Sequence, residues 1–215
     1  MRNPFLIFAA VATLLLGACV PSPESPRVER PRPQPAPDAD TRQCLADLRA
    51  GRVHVRLLPD RHYGGGCSAL GSVQLLDMGV PVTNLGAMTC PLARTFVRWT
   101  REGVQPAARE WLGTEVVRIE SFGTYSCRSV NSKVGGRISE HGRANAVDVS
   151  AFVLGDGRRI TVLDGWNSDQ RRVREFLRAV HAAGCRHFNI GIGPDANAQH
   201  RNHFHFDMGR GPYCR

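Results

Sequence analysis

Hydrophobic and polar positions alternate near the end of the chain, which is the pattern of a half-buried strand. Residues 203–207 read His-Phe-His-Phe-Asp. Successive side chains of an extended segment point to opposite faces. A strand over 203–208 therefore places His203, His205 and Asp207 on one face and Phe204 and Phe206 on the other. We expect the phenylalanines to face the core and the imidazoles to face a cleft, the alternative being a polar, half-exposed edge strand.

Shorter alternations and apolar runs predict further strands elsewhere in the chain. They cover residues 53–58, 73–76, 116–121, 146–154, 159–163 and 188–192. Gly155-Asp156-Gly157 joins two of them, which is typical of a hairpin.

Apolar residues at helical spacing predict helices over residues 44–50, 91–101, 106–112 and 169–183. For the last and longest, Ser168 is a suitable N-cap and Gly184 a suitable end. His181 and His187 are expected to face solvent or interact with the helix C-terminus. Strands and helices do not alternate as in a parallel sheet, so the pattern indicates an α+β fold with helices packed on an antiparallel sheet.

The N-terminal segment has the features of an export signal. Residues 1–18 contain one basic side chain and an apolar run, Phe5 to Leu16, that is too short to span a bilayer. The small residues before Cys19 resemble a bacterial lipoprotein signal, which implies cleavage before Cys19 and lipidation of its thiol. An ordinary signal peptide with a chance cysteine is the alternative. Val20 follows instead of an aspartate, which favours anchoring in the outer membrane, on the periplasmic side of the envelope.

Residues 19–42 are predicted to be a linker that follows the lipid anchor. Seven of the 14 prolines lie between Pro21 and Arg42. Such a composition favours an extended spacer, with a proline-rich recognition ligand as the alternative. Residues 43–215 then form one domain of ordinary size.

The chain is basic, with a formal net charge of +9. Arg2 is the only charged residue of the predicted signal, so the exported part carries +8. This excess favours acidic partners such as peptidoglycan or lipid phosphates. Nucleic acid is disfavoured because no basic stripe is interleaved with aromatic residues.

Six cysteines remain after Cys19 is set aside. They are Cys44, Cys67, Cys90, Cys127, Cys185 and Cys214. An even number in an exported chain predicts disulfides, although the sequence alone does not select the pairing. We expect Cys185–Cys214, which would tie the longest helix to the segment after the histidines. No Cys-x-x-Cys pair occurs, so a thiolate zinc site or a thioredoxin-like motif is disfavoured.

A second group of polar residues lies about sixty positions upstream of the terminal histidines. Asp148 interrupts an apolar strand, and a buried carboxylate needs a partner such as a metal ion or an arginine. His141 precedes it by seven residues, with small residues between the two that allow the chain to fold back. With His205, these residues form a set of two histidines and one carboxylate, which is typical of a catalytic Zn²⁺ site. Such an ion lowers the pKa of a bound water to about 7 and polarises a carbonyl group.

The segment from Ser139 to Asp148 resembles the Ser-x-His-x-x-Gly-x-Ala-x-Asp motif of bacterial D-alanyl-D-alanine carboxypeptidases and dipeptidases. That group also includes lysostaphin-type peptidases and the penicillin-insensitive murein endopeptidase. The resemblance implies a carboxypeptidase/hedgehog-like zinc peptidase fold in which His141 and Asp148 bind zinc. The terminal His-x-His resembles the second motif of the group, which implies that His205 is the third ligand and that His203 assists the reacting water.

Two further segments resemble peptidase motifs. The spacing of His200, His203 and His205 is similar to that of the murein endopeptidase, and we expect His200 to assist catalysis together with His203. The segment from Tyr125 to Arg128 is similar to a Tyr-Arg segment of the carboxypeptidases, which implies that Arg128 binds a substrate carboxylate.

Three positions depart from the carboxypeptidase pattern or need a separate interpretation. Ala144 replaces a glycine, which a backbone with negative φ tolerates. Asn202 stands where the carboxypeptidases have a general-base glutamate, so His203 is the expected substitute. Glu140 is adjacent to a ligand but is expected to point away from the metal, as a supporting group at most.

A resemblance to the bacterial extensin-like C-terminal family covers the whole domain, from about Cys44 to Cys214. It rests on the segments 85–91 (Leu-Gly-Ala-Met-Thr-Cys-Pro), 125–128, 139–141, 193–200 (Gly-Pro-Asp-Ala-Asn-Ala-Gln-His) and 203–207.

These observations favour a zinc-dependent peptidase that hydrolyses peptidoglycan stem peptides, as a carboxypeptidase or an endopeptidase. One alternative is an envelope domain that binds peptidoglycan without cleaving it. Another is a disulfide-braced lipoprotein whose histidines are ordinary strand residues. A serine hydrolase is disfavoured because the chain has no Gly-x-Ser-x-Gly segment.

Overall fold

The computed structural model describes residues 36–215. The predicted signal over 1–18, the lipidation of Cys19 and most of the predicted linker lie outside the described residues. The first helix begins at Ala39, inside the predicted linker, because Asp38 accepts a hydrogen bond from the Thr41 amide at 2.7 Å and caps it. Within the described range, none of the helices combines the length and the apolar character needed to cross a membrane.

The helices are α1 (Ala39–Ala50), α2 (Cys90–Trp99), α3 (Gln105–Leu112), α4 (Val162–Gly165) and α5 (Arg171–His187). The strands are β1 (His54–Leu57), β2 (Arg61–His62), β3 (Ser68–Ala69), β4 (Ser72–Asp77), β5 (Met88–Thr89), β6 (Val116–Gly123), β7 (Ala146–Leu154), β8 (Arg159–Thr161), β9 (Ile190–Ile192), β10 (Phe204–Asp207) and β11 (Tyr213–Cys214). Most predicted elements are present with bounds that differ by a few residues at each end.

The main sheet has the strand order β11-β9-β10-β7-β6, with β8 paired to the second half of β7. Its pairs are antiparallel, except that β11 runs parallel to β9. A smaller sheet has the order β1-β4-β5, and β2 pairs with β3. The predicted α+β fold with an antiparallel sheet is therefore confirmed.

One face of the main sheet is covered by helices and holds the aromatic core. Phe204 and Phe206 of β10 are fully buried there, as the alternating pattern predicted. The Phe206 ring lies 4.8 Å from that of Phe188 and 5.2 Å from that of Trp99 on α2. Each buried aromatic side chain contributes about 2–3 kcal/mol through removal of apolar surface from water. The opposite face of β10 is thereby fixed toward the cleft.

The sequence predicted that helix α5 ends at Gly184, but the helix continues to His187. The glycine serves packing instead of ending the helix, because a Cβ atom at this position would lie 2.2 Å from two ring atoms of Phe206. Glycine is needed here for close approach of the helix to the sheet. The N-terminus also differs, since the helix begins at Arg171 and its N-cap is Gln170, not Ser168.

His181 is buried, which corrects the expectation that it faces solvent. Its ring lies 5.2 Å from that of Phe204 and 5.7 Å from that of Trp166. Burial, together with the positive charge of Arg178, lowers the pKa of His181 to about 4. This histidine is therefore a neutral core residue at neutral pH.

A further difference concerns the predicted strand over 159–163, which ends at Thr161. The Thr161 hydroxyl accepts a hydrogen bond from the Asp164 amide at 3.0 Å and so begins helix α4.

Three disulfides join the six cysteines of the described chain. The predicted bond between Cys185 and Cys214 is confirmed, and it links α5 to the C-terminal segment. The other two are Cys44–Cys90 and Cys67–Cys127.

Candidate metal centre

The two central strands of the main sheet place an acid and a base directly opposite each other. His205 on β10 is the register partner of Asp148 on β7, and directly paired residues project from the same face. His141 approaches from a short helical turn, Glu140–Arg143, that Ser139 caps just before β7. The three side chains are buried and lie on the face opposite the aromatic core.

The three predicted metal ligands lie at mutual distances of about 3 Å. His141 Nε2 is 3.1 Å from Asp148 Oδ1 and 3.1 Å from His205 Nδ1. His205 Nδ1 is 2.9 Å from the same oxygen of Asp148. Ligands about 2.0–2.1 Å from a tetrahedral zinc are separated by about 3.3 Å, so the triangle is close to the expected size.

The outer nitrogen of each ligand histidine has a fixed acceptor. His141 Nδ1–H donates to the carbonyl oxygen of Thr124 at 2.9 Å. His205 Nε2–H donates to Asp207 Oδ2 at 2.8 Å, and the other oxygen of Asp207 accepts from the Gly209 amide at 2.7 Å. A carbonyl or carboxylate at the outer nitrogen leaves the inner nitrogen with its lone pair directed inward.

The inward lone pairs create a site that favours a cation. Two imidazole nitrogens and one carboxylate oxygen face one another within hydrogen-bond distance, and none of them has a proton to donate when both rings are neutral. A proton bound to His205 partly satisfies these inward-facing lone pairs. Burial lowers the pKa of His205, but hydrogen bonds with Asp148 and Asp207 outweigh burial and raise it to about 9.

Asp148 is held in its ionised form by the same contacts. Burial raises its pKa, but the hydrogen bonds with His141 and His205 outweigh burial and hold the pKa far below its usual range. Two neutral imidazoles and an ionised carboxylate are the donor set of known catalytic zinc sites. The residues present therefore fit a zinc ion.

His203 lies beside the triangle and is positioned by the preceding residue. Its Nδ1–H donates to Asn202 Oδ1 at 2.9 Å, and its Nε2 lies 3.5 Å from Asp148 Oδ1. The ring also contacts the exposed Phe122 edge to face, at 5.6 Å between centroids. Burial lowers the pKa of His203 despite the nearby charge of Asp148. Its Nε2 therefore faces the candidate metal site and is able to accept a proton.

His200 is more peripheral than His203. Its Nδ1–H donates to Asn197 Oδ1 at 2.8 Å, and its ring lies 5.1 Å from that of His203. Burial, together with His203 and His205, lowers the pKa of His200 to about 4. The structure thus gives His200 a position in the wall of the site rather than at its centre.

Arg128 is close to the carboxylate of the triangle. Its Nη2 lies 3.5 Å from Asp148 Oδ2, and its side chain is 39% exposed. It borders both of the hollows that adjoin the site. Its guanidinium is therefore accessible to a ligand that enters either of them.

The two remaining predictions around the motif have different outcomes. Glu140 Oε2 accepts a hydrogen bond from Asn145 Nδ2 at 2.7 Å, which fits a supporting role. Ala144 has a φ of 54°, so the negative φ that would make alanine a neutral replacement for glycine is not observed. An alanine in the left-handed region costs about 1–2 kcal/mol.

Two hollows adjoin the candidate metal site. One, which we call the β9 cavity, has a volume of about 370 Å³ and extends over Ile190, Ile192 and Tyr213. The other, which we call the β6 cleft, has a volume of about 410 Å³ and extends over Phe122 and Tyr125. A bound ion would therefore be accessible to a substrate, as a catalytic site requires.

Several groups that shape the site were not identified from the sequence. Thr124 acts through its backbone carbonyl, for which residue type gives no signal. Asn202 was noted only as the replacement of a glutamate, but it orients His203. Asp207, in contrast, lies on the face that its alternation with His205 predicted, and of the two roles expected there, orienting an imidazole or capping the strand, its bond to His205 Nε2 supports the first.

A second cluster of potential ligands contains His181, Cys185 and Cys214. Its two cysteines form a disulfide and so are not thiolates. It does not fit a zinc site.

The comparisons with known proteins give one family. The family model described as "Extensin-like protein C-terminus" matches residues 42–215. No curated protein matches the chain, and no solved structure matches it.

Proposed function

The chain belongs to the extensin-like C-terminal family, and we propose that it is a zinc-dependent peptidase that hydrolyses peptidoglycan peptides. The observation that carries the proposal is the triangle of His141 Nε2, Asp148 Oδ1 and His205 Nδ1, with edges of 2.9–3.1 Å. We also propose that the fold is that of the D-Ala-D-Ala carboxypeptidase/hedgehog-like zinc peptidases, because the peptidase-like motifs meet at this one site.

The three ligands would hold Zn²⁺ with one position open to the hollows. When bound, zinc acts as a Lewis acid that polarises a carbonyl and lowers the pKa of a water to about 7. Asp207 and the carbonyl of Thr124 orient the two imidazoles. Such outer contacts typically contribute 10–100-fold to metal affinity.

His203 is the general base in this proposal. Asn202 fixes its ring so that Nε2 faces the site, where it accepts the proton of the attacking water and later returns it to the leaving amine. This step contributes about 10²–10⁴-fold to the rate. Asn202 cannot itself accept the proton, so the glutamate of the carboxypeptidases is replaced by a histidine at the adjacent position. His200 supports His203 from the cavity wall.

Arg128 binds the substrate. Its exposed guanidinium is suited to a carboxylate, and stem peptides carry several.

We place the enzyme on the periplasmic side of the bacterial envelope, anchored through a lipid on Cys19, with the proline-rich segment as a spacer. The net charge of +8 on the exported part fits an anionic wall polymer.

One observation favours a second candidate function. Asn202 stands in place of the glutamate base, so a domain that binds peptidoglycan without cleaving it is the alternative. It predicts that the chain is retained on purified sacculi without release of product, and that His203→Ala leaves this retention unchanged.

The test is digestion of purified sacculi with zinc-loaded protein, with the products separated by chromatography. The wild type should release new muropeptides. His205→Ala should lose both zinc and product, whereas His203→Ala should keep zinc and lose at least 10²-fold in rate. Zinc bound without any product from the wild type would refute the catalytic proposal and leave the binding domain.

A further inference from the structure

The metal site lies on the common border of the β9 cavity and the β6 cleft. Both hollows are lined by His141, Asp148, His203 and Arg128. The remaining walls differ, so each hollow extends away from the site over different elements.

The strand order of the sheet places the two hollows on opposite sides of the site. The β9 cavity extends over β9 and β11, whereas the β6 cleft lies at the end of β6, beside Phe122 and Gly123. In the order β11-β9-β10-β7-β6, the strands that carry His205 and Asp148, which are β10 and β7, lie between β9 and β6. Four strand spacings of about 4.8 Å give a width of about 19 Å, which corresponds to about six residues of an extended peptide.

The β9 cavity is lined by two arginines that have no ionic partner among the described residues. Arg137 and Arg210 both line the cavity, and neither forms a salt bridge within residues 36–215. The carboxylates of the same cavity already have hydrogen bonds. Asp148 and Asp207 bond to His205, and Glu140 bonds to Asn145. The two arginines are therefore available for an anionic ligand.

Backbone contacts fix the two segments that carry these arginines. Arg137 lies on a hairpin in which its carbonyl accepts from the Val130 amide at 2.9 Å. Arg210 lies on the C-terminal segment, which is fixed by the Cys185–Cys214 disulfide and by a hydrogen bond from the Tyr213 amide to Asn189 O at 3.0 Å. Fixed backbone positions reduce the entropy that is lost when the two side chains bind a carboxylate.

We infer that the site cleaves an amide bond inside an extended peptide that crosses the sheet, and that a carboxylate of this peptide binds Arg137 and Arg210 in the β9 cavity. The inference rests on the proposed peptidase function and assigns it an endopeptidase mode. Water adds across the amide: the carbon–nitrogen bond breaks, the carbonyl carbon takes the oxygen, and the nitrogen takes a proton. The products are one carboxylate and one amine, each with peptide attached.

The mode is tested with the zinc-loaded full chain and two purified substrates. One is a cross-linked muropeptide dimer, with peptide on both sides of the cross-link. The other is the uncross-linked pentapeptide monomer, from which a carboxypeptidase removes one terminal residue. We expect kcat/KM to be at least tenfold higher for the dimer. Equal rates, or release of the terminal residue alone, would overturn the inference but leave the peptidase proposal intact, whereas cleavage of neither substrate contradicts both.

The arginines are tested by substitution and by modification of the substrate. Arg137→Gln and Arg210→Gln should each raise KM for the dimer roughly tenfold, the equivalent of one charge-assisted hydrogen bond, with kcat nearly unchanged. Arg172→Gln is the control, because Arg172 is exposed on α5, which covers the opposite face of the sheet. Amidation of the substrate carboxylates should remove the difference between variants and wild type. An unchanged KM in both variants, or a KM effect that persists with the amidated substrate, would refute the role of the arginines.

Discussion

Asp207 offers a sharp test of how the site is built, because it is not a predicted ligand. One oxygen accepts from His205 Nε2 at 2.8 Å and the other from the Gly209 amide at 2.7 Å. In Asp207→Asn, a single carbonyl oxygen must replace two acceptors. If the amide nitrogen faces His205, it donates to Nε2 and moves the ring proton to Nδ1, which points into the ligand triangle. If it faces Gly209, two donors oppose each other and the loop shifts.

Either arrangement weakens the inward lone pair of His205. Loss of an orienting partner typically reduces metal affinity 10–100-fold, which corresponds to about 1.4–2.7 kcal/mol. We therefore expect the zinc dissociation constant of Asp207→Asn to rise by that factor, measured by competition with a chromophoric chelator. The fold should persist, as near-ultraviolet circular dichroism will show.

The matched control is Asp195→Asn. Asp195 also accepts two side-chain hydrogen bonds, from Trp166 and Arg178, but it does not contact the ligand triangle. Its substitution should leave zinc affinity within twofold of the wild type. A similar zinc affinity in Asp207→Asn and the wild type would refute the claim that Asp207 sets the tautomer of a metal ligand.

Three further predictions concern stability, measured as the free energy of unfolding in urea. Gly184→Ala should destabilise the domain by about 1–3 kcal/mol or more, because the added Cβ would lie 2.2 Å from the Phe206 ring. A stabilisation, as is usual when a glycine inside a helix is replaced by alanine, would contradict the packing argument. His181 has a pKa of about 4 when folded and about 6.5 when unfolded, so the unfolded chain binds more protons between these values. The stability that the neutral imidazole of His181 contributes should be complete above pH 6.5 and fall toward pH 4 by on the order of 2 kcal/mol. His181→Leu should largely remove this loss, and an equally steep pH dependence in that variant between pH 6.5 and 4 would be inconsistent with a buried neutral imidazole. Ala144→Gly should change stability by less than about 0.5 kcal/mol, because relief of the left-handed conformation offsets the lost methyl. Ala146→Gly, in the neighbouring strand, should cost about 1 kcal/mol or more; equal losses would show that Ala144 is not strained.

The sequence predicted the elements whose hydrophobic period is long and regular. The alternation over 203–207 placed Phe204 and Phe206 in the core and the imidazoles in the cleft, as the structure has them. The strand over 146–154 has the predicted bounds.

What the sequence did not predict depends on contacts between distant segments. A glycine such as Gly184 is typical of a helix end, and only its close approach to Phe206 shows that it serves packing inside a helix that continues to His187. His181 is polar, and only the aromatic residues around it show that it is buried. For the candidate site, the motifs supplied the residues of the triangle, whereas the orienting role of Thr124 belongs to a backbone carbonyl that no residue type signals.

The central claim is that His141, Asp148 and His205 bind one zinc ion, and the most direct measurement is the metal content of the purified full chain. Protein is incubated with a small excess of zinc, dialysed, and analysed by inductively coupled plasma mass spectrometry, beside His141→Ala and the control His187→Ala. His187 lies at the end of α5, near Glu102 and away from the triangle. The account predicts about one zinc per chain in the wild type and the control, and less than a tenth of that in His141→Ala. A wild type without zinc, or a full equivalent in His141→Ala, would contradict it.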